Sequence, residues 1–125
     1  MSAKILVVDD SSLARRTVRQ LLEAMGHTVV EASDGMQALE VFHVEKPELV
    51  VLDMVMSGMY GLDVLAKMRE MNPEVRVLVS TSDVQKSTAD QVKAAGAKGL
   101  LNKPVSKEKL TPAVTLLLGG GDLWN

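Results

Sequence analysis

Apolar and polar positions alternate along this chain in blocks of two lengths. Short runs at Lys4–Asp9, Thr28–Ala32, Leu49–Asp53, Val75–Ser80 and Gly99–Asn102 are separated by longer stretches with helical spacing. Runs one, three and four are apolar on both faces, the pattern of parallel strands covered by helices above and below. In the first long stretch Ala14, Val18, Leu21, Leu22 and Met25 form a helical stripe, with Ser11 or Ser12 to cap it and Gly26 to end it. Ala38, Leu39 and Phe42 form a second stripe between Asp34 and Lys46, followed by Pro47. Leu62, Leu65, Met68 and Met71 form a third, closed by Asn72-Pro73, and Thr88, Val92 and Ala95 a fourth, closed by Gly96. The last stripe, Leu110, Ala113, Val114 and Leu117, contains Pro112. A helix starting near Ser106 and kinking there is favoured over one starting at Thr111 with Pro112 in its first position. Five strands alternating with five helices predict a doubly wound α/β domain. Right-handed crossovers then bring the strand C-terminal ends to one edge, where such sheets bind ligands at the switch point of strand order.

The composition narrows this further. At 125 residues the chain is one domain. With 46% apolar and 24% charged residues it is a folded protein rather than a disordered one. The net charge of −2 gives no electrostatic reason to expect nucleic acid or an anionic membrane as a partner. There is no cysteine, which removes disulfides, thiolate catalysis and cysteine-ligated zinc. No apolar run is long enough to span a membrane, and the first residues lack a signal-peptide layout, so a cytoplasmic location is expected. The domain is expected to occupy residues 1–118, with 119–125 as a C-terminal tail flexible at its glycines. If the domain is regulatory, no effector domain is expected beside it.

The candidate chemistry lies at the ligand edge. Asp9 and Asp10 follow the first run, and Asp53 ends the third. Alone, Asp9-Asp10 reads equally well as a polar turn before a helix. If the first and third strands are neighbours, however, three carboxylates converge within about a few ångströms, which is unfavourable without a counter-charge. A divalent cation supplies one, and all-oxygen ligation suits Mg²⁺. Ser80, Thr81 and Ser82 bring hydroxyls to the same edge, and Lys103 stands before Pro104 after the fifth run. Carboxylates, a metal, a hydroxyl and a lysine suit phosphoryl transfer with a carboxylate as nucleophile.

At this point the chain resembles a response-regulator receiver domain of the stand-alone CheY-like type. The likeness runs from Lys4 to about Leu118. It rests on Val8-Asp9-Asp10-Ser11, Leu52-Asp53-Met54-Val55-Met56, Met59-Tyr60-Gly61, Ser80-Thr81-Ser82, Gly96-Ala97 and Lys103-Pro104 in order. The resemblance implies a flavodoxin-like sheet of strand order 2-1-3-4-5 with five helices. Asp53 would accept a phosphoryl group from a sensor histidine kinase. Asp10 would ligate Mg²⁺ directly and Asp9 mainly through water, with Asp53 and the Val55 backbone carbonyl completing the protein ligands. Thr81 and Lys103 would hold phosphoryl oxygens, and the Lys103-Pro104 bond would be cis. The implied domain is a monomeric signalling module rather than a turnover enzyme. Its fourth helix, fifth strand and fifth helix would change on phosphorylation to bind an output protein. A flagellar switch and a phosphotransferase are among the outputs it would fit.

The chain departs from the family at several positions. Ser57 replaces the usual proline, which predicts a looser loop. Leu100 takes a place often held by Tyr or Phe, so the usual aromatic switch is in doubt. Val55, two residues past Asp53, bears on water or phosphatase access. Asp83, two past Thr81, is placed to repel anionic donors or to orient a water. The final helix is rich in leucine, and its remaining area is either an interaction surface or covered by Leu123 and Trp124. Arg15, Arg16 and Arg19 read as a solvated face or, more sharply, as a kinase-docking surface. His27 and His43 read as solvated, and the methionines as core and loop filler. Competing classes fit less well. An aspartyl-phosphate hydrolase of the haloacid-dehalogenase type wants an aspartate where Val55 stands. A dinucleotide binder wants a glycine-rich loop that is absent. A phosphorylation-independent adaptor would not need the full acid, hydroxyl and lysine set, while a phosphorelay shuttle would.

Overall fold

The computed structural model describes residues 2–56 and 58–124. Its elements are β1 (Lys4–Val8), α1 (Ser12–Ala24), β2 (Thr28–Ala32), α2 (Gly35–Glu45), β3 (Leu49–Asp53), α3 (Gly61–Met71), β4 (Val77–Thr81), α4 (Lys86–Ala94), β5 (Gly99–Asn102) and α5 (Lys107–Leu118). The strands form one parallel sheet in the order β2-β1-β3-β4-β5, as the resemblance implied.

The two-residue period of the strands explains how the sheet is sandwiched. Leu6 and Val8 of β1, with Val50 and Leu52 of β3, enter a core that also holds Phe42 of α2 and Leu65 and Met68 of α3. Ile5 and Val7, with Leu49 and Val51, enter the opposite core with Leu22 of α1 and Leu110 and Leu117 of α5. Every residue of β3 and β4 is buried, which is why those runs carry almost no polar residues until their last positions.

Local signals set the helix ends. The Ser11 hydroxyl accepts the Ala14 N–H at 3.2 Å, which makes Ser11 rather than Ser12 the cap of α1. Asp34 caps α2 in the same way, accepting the Gln37 N–H at 2.8 Å. Helix α5 begins at Lys107 and runs through Pro112 to Leu118. The proline removes only the N–H that would have reached the Glu108 carbonyl, and Glu108 is exposed, so water can take that oxygen.

The glycines after α5 do not form a loose tail. Gly120 has φ +95° and donates to the Leu117 carbonyl, while Gly121 donates to that of Leu116 at 3.0 Å. This is a Schellman cap, and it turns the chain back toward the sheet. The Leu123 N–H then donates to the Lys98 carbonyl at 2.8 Å, and the Trp124 indole N–H to that of Ala97 at 2.9 Å. Leu123 packs on the α1–α5 core and Trp124 on the opposite one, so the two residues clasp the start of edge strand β5. Leu116 remains 45% exposed, so this clasp leaves part of the leucine face uncovered.

Candidate functional site

Strand register brings the acids together. Val8 lies beside Leu52 in the β1–β3 pairing, so Asp9 emerges next to Asp53. Asp53 in turn pairs with Ser80, and Thr81 with Asn102, which places Lys103 one residue beyond the same edge. One carboxylate oxygen from each of Asp9, Asp10 and Asp53 lies within 4.8 Å of the others. Asp9 and Asp53 are 5% and 6% exposed, whereas Asp10 is exposed.

The Lys103 ammonium stands between the two buried acids. It donates to Asp9 Oδ2 at 2.9 Å and lies 3.4 Å from Asp53 Oδ1. Burial alone would lower the Lys103 pKa. The hydrogen bond to Asp9 and the charges of Asp9 and Asp53 together outweigh it and hold the ammonium above its ordinary value. Asp53 moves the opposite way from a typical paired acid. Its burial, and then the neighbouring charge of Asp9, raise its carboxyl above the ordinary value despite Lys103. The cluster is therefore short of positive charge, and its donors are hard oxygens in a small space. That donor set fits Mg²⁺.

The start of α3 approaches the end of β3 closely. The Gly61 N–H donates to the Met54 carbonyl at 2.8 Å. A Cβ on Gly61 would sit 2.6 Å from the Asp53 carbonyl oxygen, so only glycine allows α3 to begin there. Met54 and Met56 are buried, while Val55 is 64% exposed. Ser57 lies outside the described residues. On the far side, Thr81 is 3% exposed, and its hydroxyl oxygen accepts the Asp83 N–H at 3.1 Å. The Lys103-Pro104 bond is cis. Leu100 packs on the core beneath α4.

The arginines of α1 are not simply a solvated face. Arg15 donates to the Asp9 carbonyl at 2.7 Å and to Glu31 at 3.0 Å, and Arg19 also pairs with Glu31. Arg16 is exposed, as expected. The signal in the sequence was the four-residue spacing of Arg15 and Arg19 together with one glutamate interrupting β2. His27 also has a fixed role, since its Nδ1 accepts the Ala3 N–H at 3.0 Å.

The chain is similar to known proteins along most of its length. The family model for the response regulator receiver domain matches residues 5–115. The chain is 37% identical over 120 residues to the response regulator MprA of Mycobacterium ulcerans, covering 94% of this chain and 51% of that one. It thus spans about half the length of that relative. It is 32% identical to the sporulation initiation phosphotransferase F of Bacillus subtilis, covering 91% of this chain and 92% of that one. The chemotaxis protein CheY4 of Vibrio cholerae superposes with a TM-score of 0.87 at 29% identity, over 92% of this chain and 98% of that one. Given the sheet order, the acidic edge and a match along nearly its whole length, the chain belongs to the response-regulator receiver family, the phosphorylation-controlled signalling modules of two-component systems.

Proposed function

We propose that this domain accepts a phosphoryl group from a sensor histidine kinase on Asp53 and passes the change to its α4–β5–α5 surface. The observation that carries the reading is the buried Asp53 carboxylate at a strand end, with the Lys103 ammonium 3.4 Å away and two further acids alongside. An Asp53 carboxylate oxygen attacks the phosphorus of a phosphohistidine. The new P–O bond forms as the P–N bond breaks, and the imidazole nitrogen leaves with the electron pair. Asp9, Asp10 and Asp53, with the Val55 carbonyl, would hold Mg²⁺, which when bound offsets the charge of the acids and of the transferring oxygens. The Lys103 ammonium turns from the carboxylates to a phosphoryl oxygen. The Thr81 hydroxyl, whose oxygen accepts the Asp83 N–H, turns to donate to another.

A shuttle in a phosphorelay is a second reading. It is favoured by the likeness to a phosphotransferase over 92% of that protein's length. In that case the acyl phosphate on Asp53 is given to a histidine of a phosphotransfer partner rather than read by a motility or other output protein. In both readings the domain acts as a monomer.

Metal binding tests the common basis. Mg²⁺ should raise the melting temperature of the wild type by mass action, and Asp10→Ala should abolish the shift. A wild type indifferent to Mg²⁺ would overturn the reading in favour of a phosphorylation-independent adaptor.

A further inference from the structure

We propose that Asp83 is a positioning residue for the Thr81 hydroxyl, and that through Thr88 it passes the position of that hydroxyl to α4. The inference rests on the phosphorylation reading above and supplies a route that Leu100, lacking a hydroxyl, does not offer. Four hydrogen bonds converge on Asp83. Its N–H donates to Thr81 Oγ1 at 3.1 Å. One carboxylate oxygen accepts the Gln85 N–H at 2.9 Å and the other the Thr88 hydroxyl at 2.6 Å. Its carbonyl accepts the Asn102 side-chain N–H at 2.9 Å. One residue is therefore tied to the site hydroxyl, to α4 and to the end of β5.

These ties have little slack. Gln85 precedes α4 and provides no side-chain cap of its own, so the Asp83 carboxylate is the group that meets the incoming helix. Thr88 is 6% exposed, so its hydroxyl has little water to turn to if that partner leaves. The Thr88 hydroxyl and then the Gln85 N–H hold the Asp83 carboxyl below its ordinary value, so it stays a charged acceptor at neutral pH. That charge is engaged with the first turn of α4 through Gln85 and Thr88.

The chemistry of Thr81 makes the arrangement responsive. When its hydroxyl turns to donate to a phosphoryl oxygen, Oγ1 moves, and the Asp83 N–H either follows or loses its acceptor. Following shifts the carboxylate, and Thr88 with it. The charge change at Asp53 thus reaches α4 through a short polar chain of named bonds.

The test uses beryllofluoride with Mg²⁺ as a phosphoryl mimic, and reads amide hydrogen exchange across residues 86–94. The fluorescence of Trp124, whose indole bonds Ala97 just beyond α4, gives a second readout. Thr88→Val removes the hydroxyl at nearly constant shape. Thr88→Ser keeps it. Asp83→Ala removes the carboxylate while leaving the N–H on Thr81. Melting curves confirm that each variant is folded. Wild type and Thr88→Ser should respond to beryllofluoride at α4. Thr88→Val should bind the mimic with affinity unchanged within about threefold, yet lose most of the α4 response, and Asp83→Ala should lose that response even when saturated with the mimic. A full α4 response in both of those variants would overturn the link. So would a wild type that binds the mimic with no change at α4. A wild type that does not take up the mimic would instead overturn the phosphorylation reading, and the link with it.

Discussion

Asp53 is the residue on which two opposing requirements meet. Sheet register places it beside Asp9 at a buried edge, and its folded pKa is raised by burial first and by Asp9 second. Between the ordinary carboxylate value and that raised value, the folded chain binds more protons than the unfolded one. Stability must therefore fall as pH rises through this window, and the cost is fully present above it. In Mg²⁺-free buffer near neutral pH, Asp53→Asn should raise the melting temperature by roughly a few degrees and flatten this pH dependence. Thermal melts of both proteins across the window check this, and a lower melting temperature for the variant would contradict it. The roles suggested for Asp9, Asp10, Asp53, Thr81 and Lys103 share one physical demand, a hydrophilic residue at the end of an apolar run, and that demand is visible in a linear sequence. The Arg15 bond to the Asp9 carbonyl is not, because it depends on β2 lying beside β1 so that Glu31 faces α1. The Asp83–Thr88 bond was equally hidden, since a threonine on a helical stripe reads first as core.

At the scale of elements, periodicity located all ten, and the differences lie at their ends. Strand β4 runs Val77–Thr81 rather than Val75–Ser80, because the Val75 N–H closes a turn on the Asn72 carbonyl while Thr81 pairs with Asn102. The glycines after α5 looked like slack because composition does not distinguish a linker from a Schellman cap. Only the Leu116 and Leu117 carbonyls that receive their N–H groups decide it. Gly61 is a demanding position at the start of α3. An added methyl would meet main-chain atoms of Asp53 and Met54, which cannot rotate away as a side chain can. Gly61→Ala should cost about 1–3 kcal/mol by forcing a backbone shift. It should also weaken Mg²⁺ binding, because that backbone carries Asp53. Denaturant unfolding and a Mg²⁺ titration of the variant measure both effects, and wild-type values in each would contradict this account of the β3–α3 connection.

Across the whole molecule, the same sheet that buries two apolar cores delivers every candidate site residue to one edge. The strand order makes this possible, since β1 and β3 are neighbours although α1, β2 and α2 intervene in sequence. The candidate site at that edge and the α4–β5–α5 surface proposed to respond to it are then separated by the β4–α4 and β5–α5 connections. Asp83 and Lys103 occupy those two connections. The Leu123–Trp124 clasp closes the far end of β5 and ties it to the segment after α4. The central claim is that Asp53 is the acceptor, and intact-mass measurement after incubation with acetyl phosphate and Mg²⁺ tests it most directly. The wild type should gain the mass of one phosphoryl group and Asp53→Asn none. An unmodified wild type, or an Asp53→Asn chain that still takes up the group, would contradict the claim.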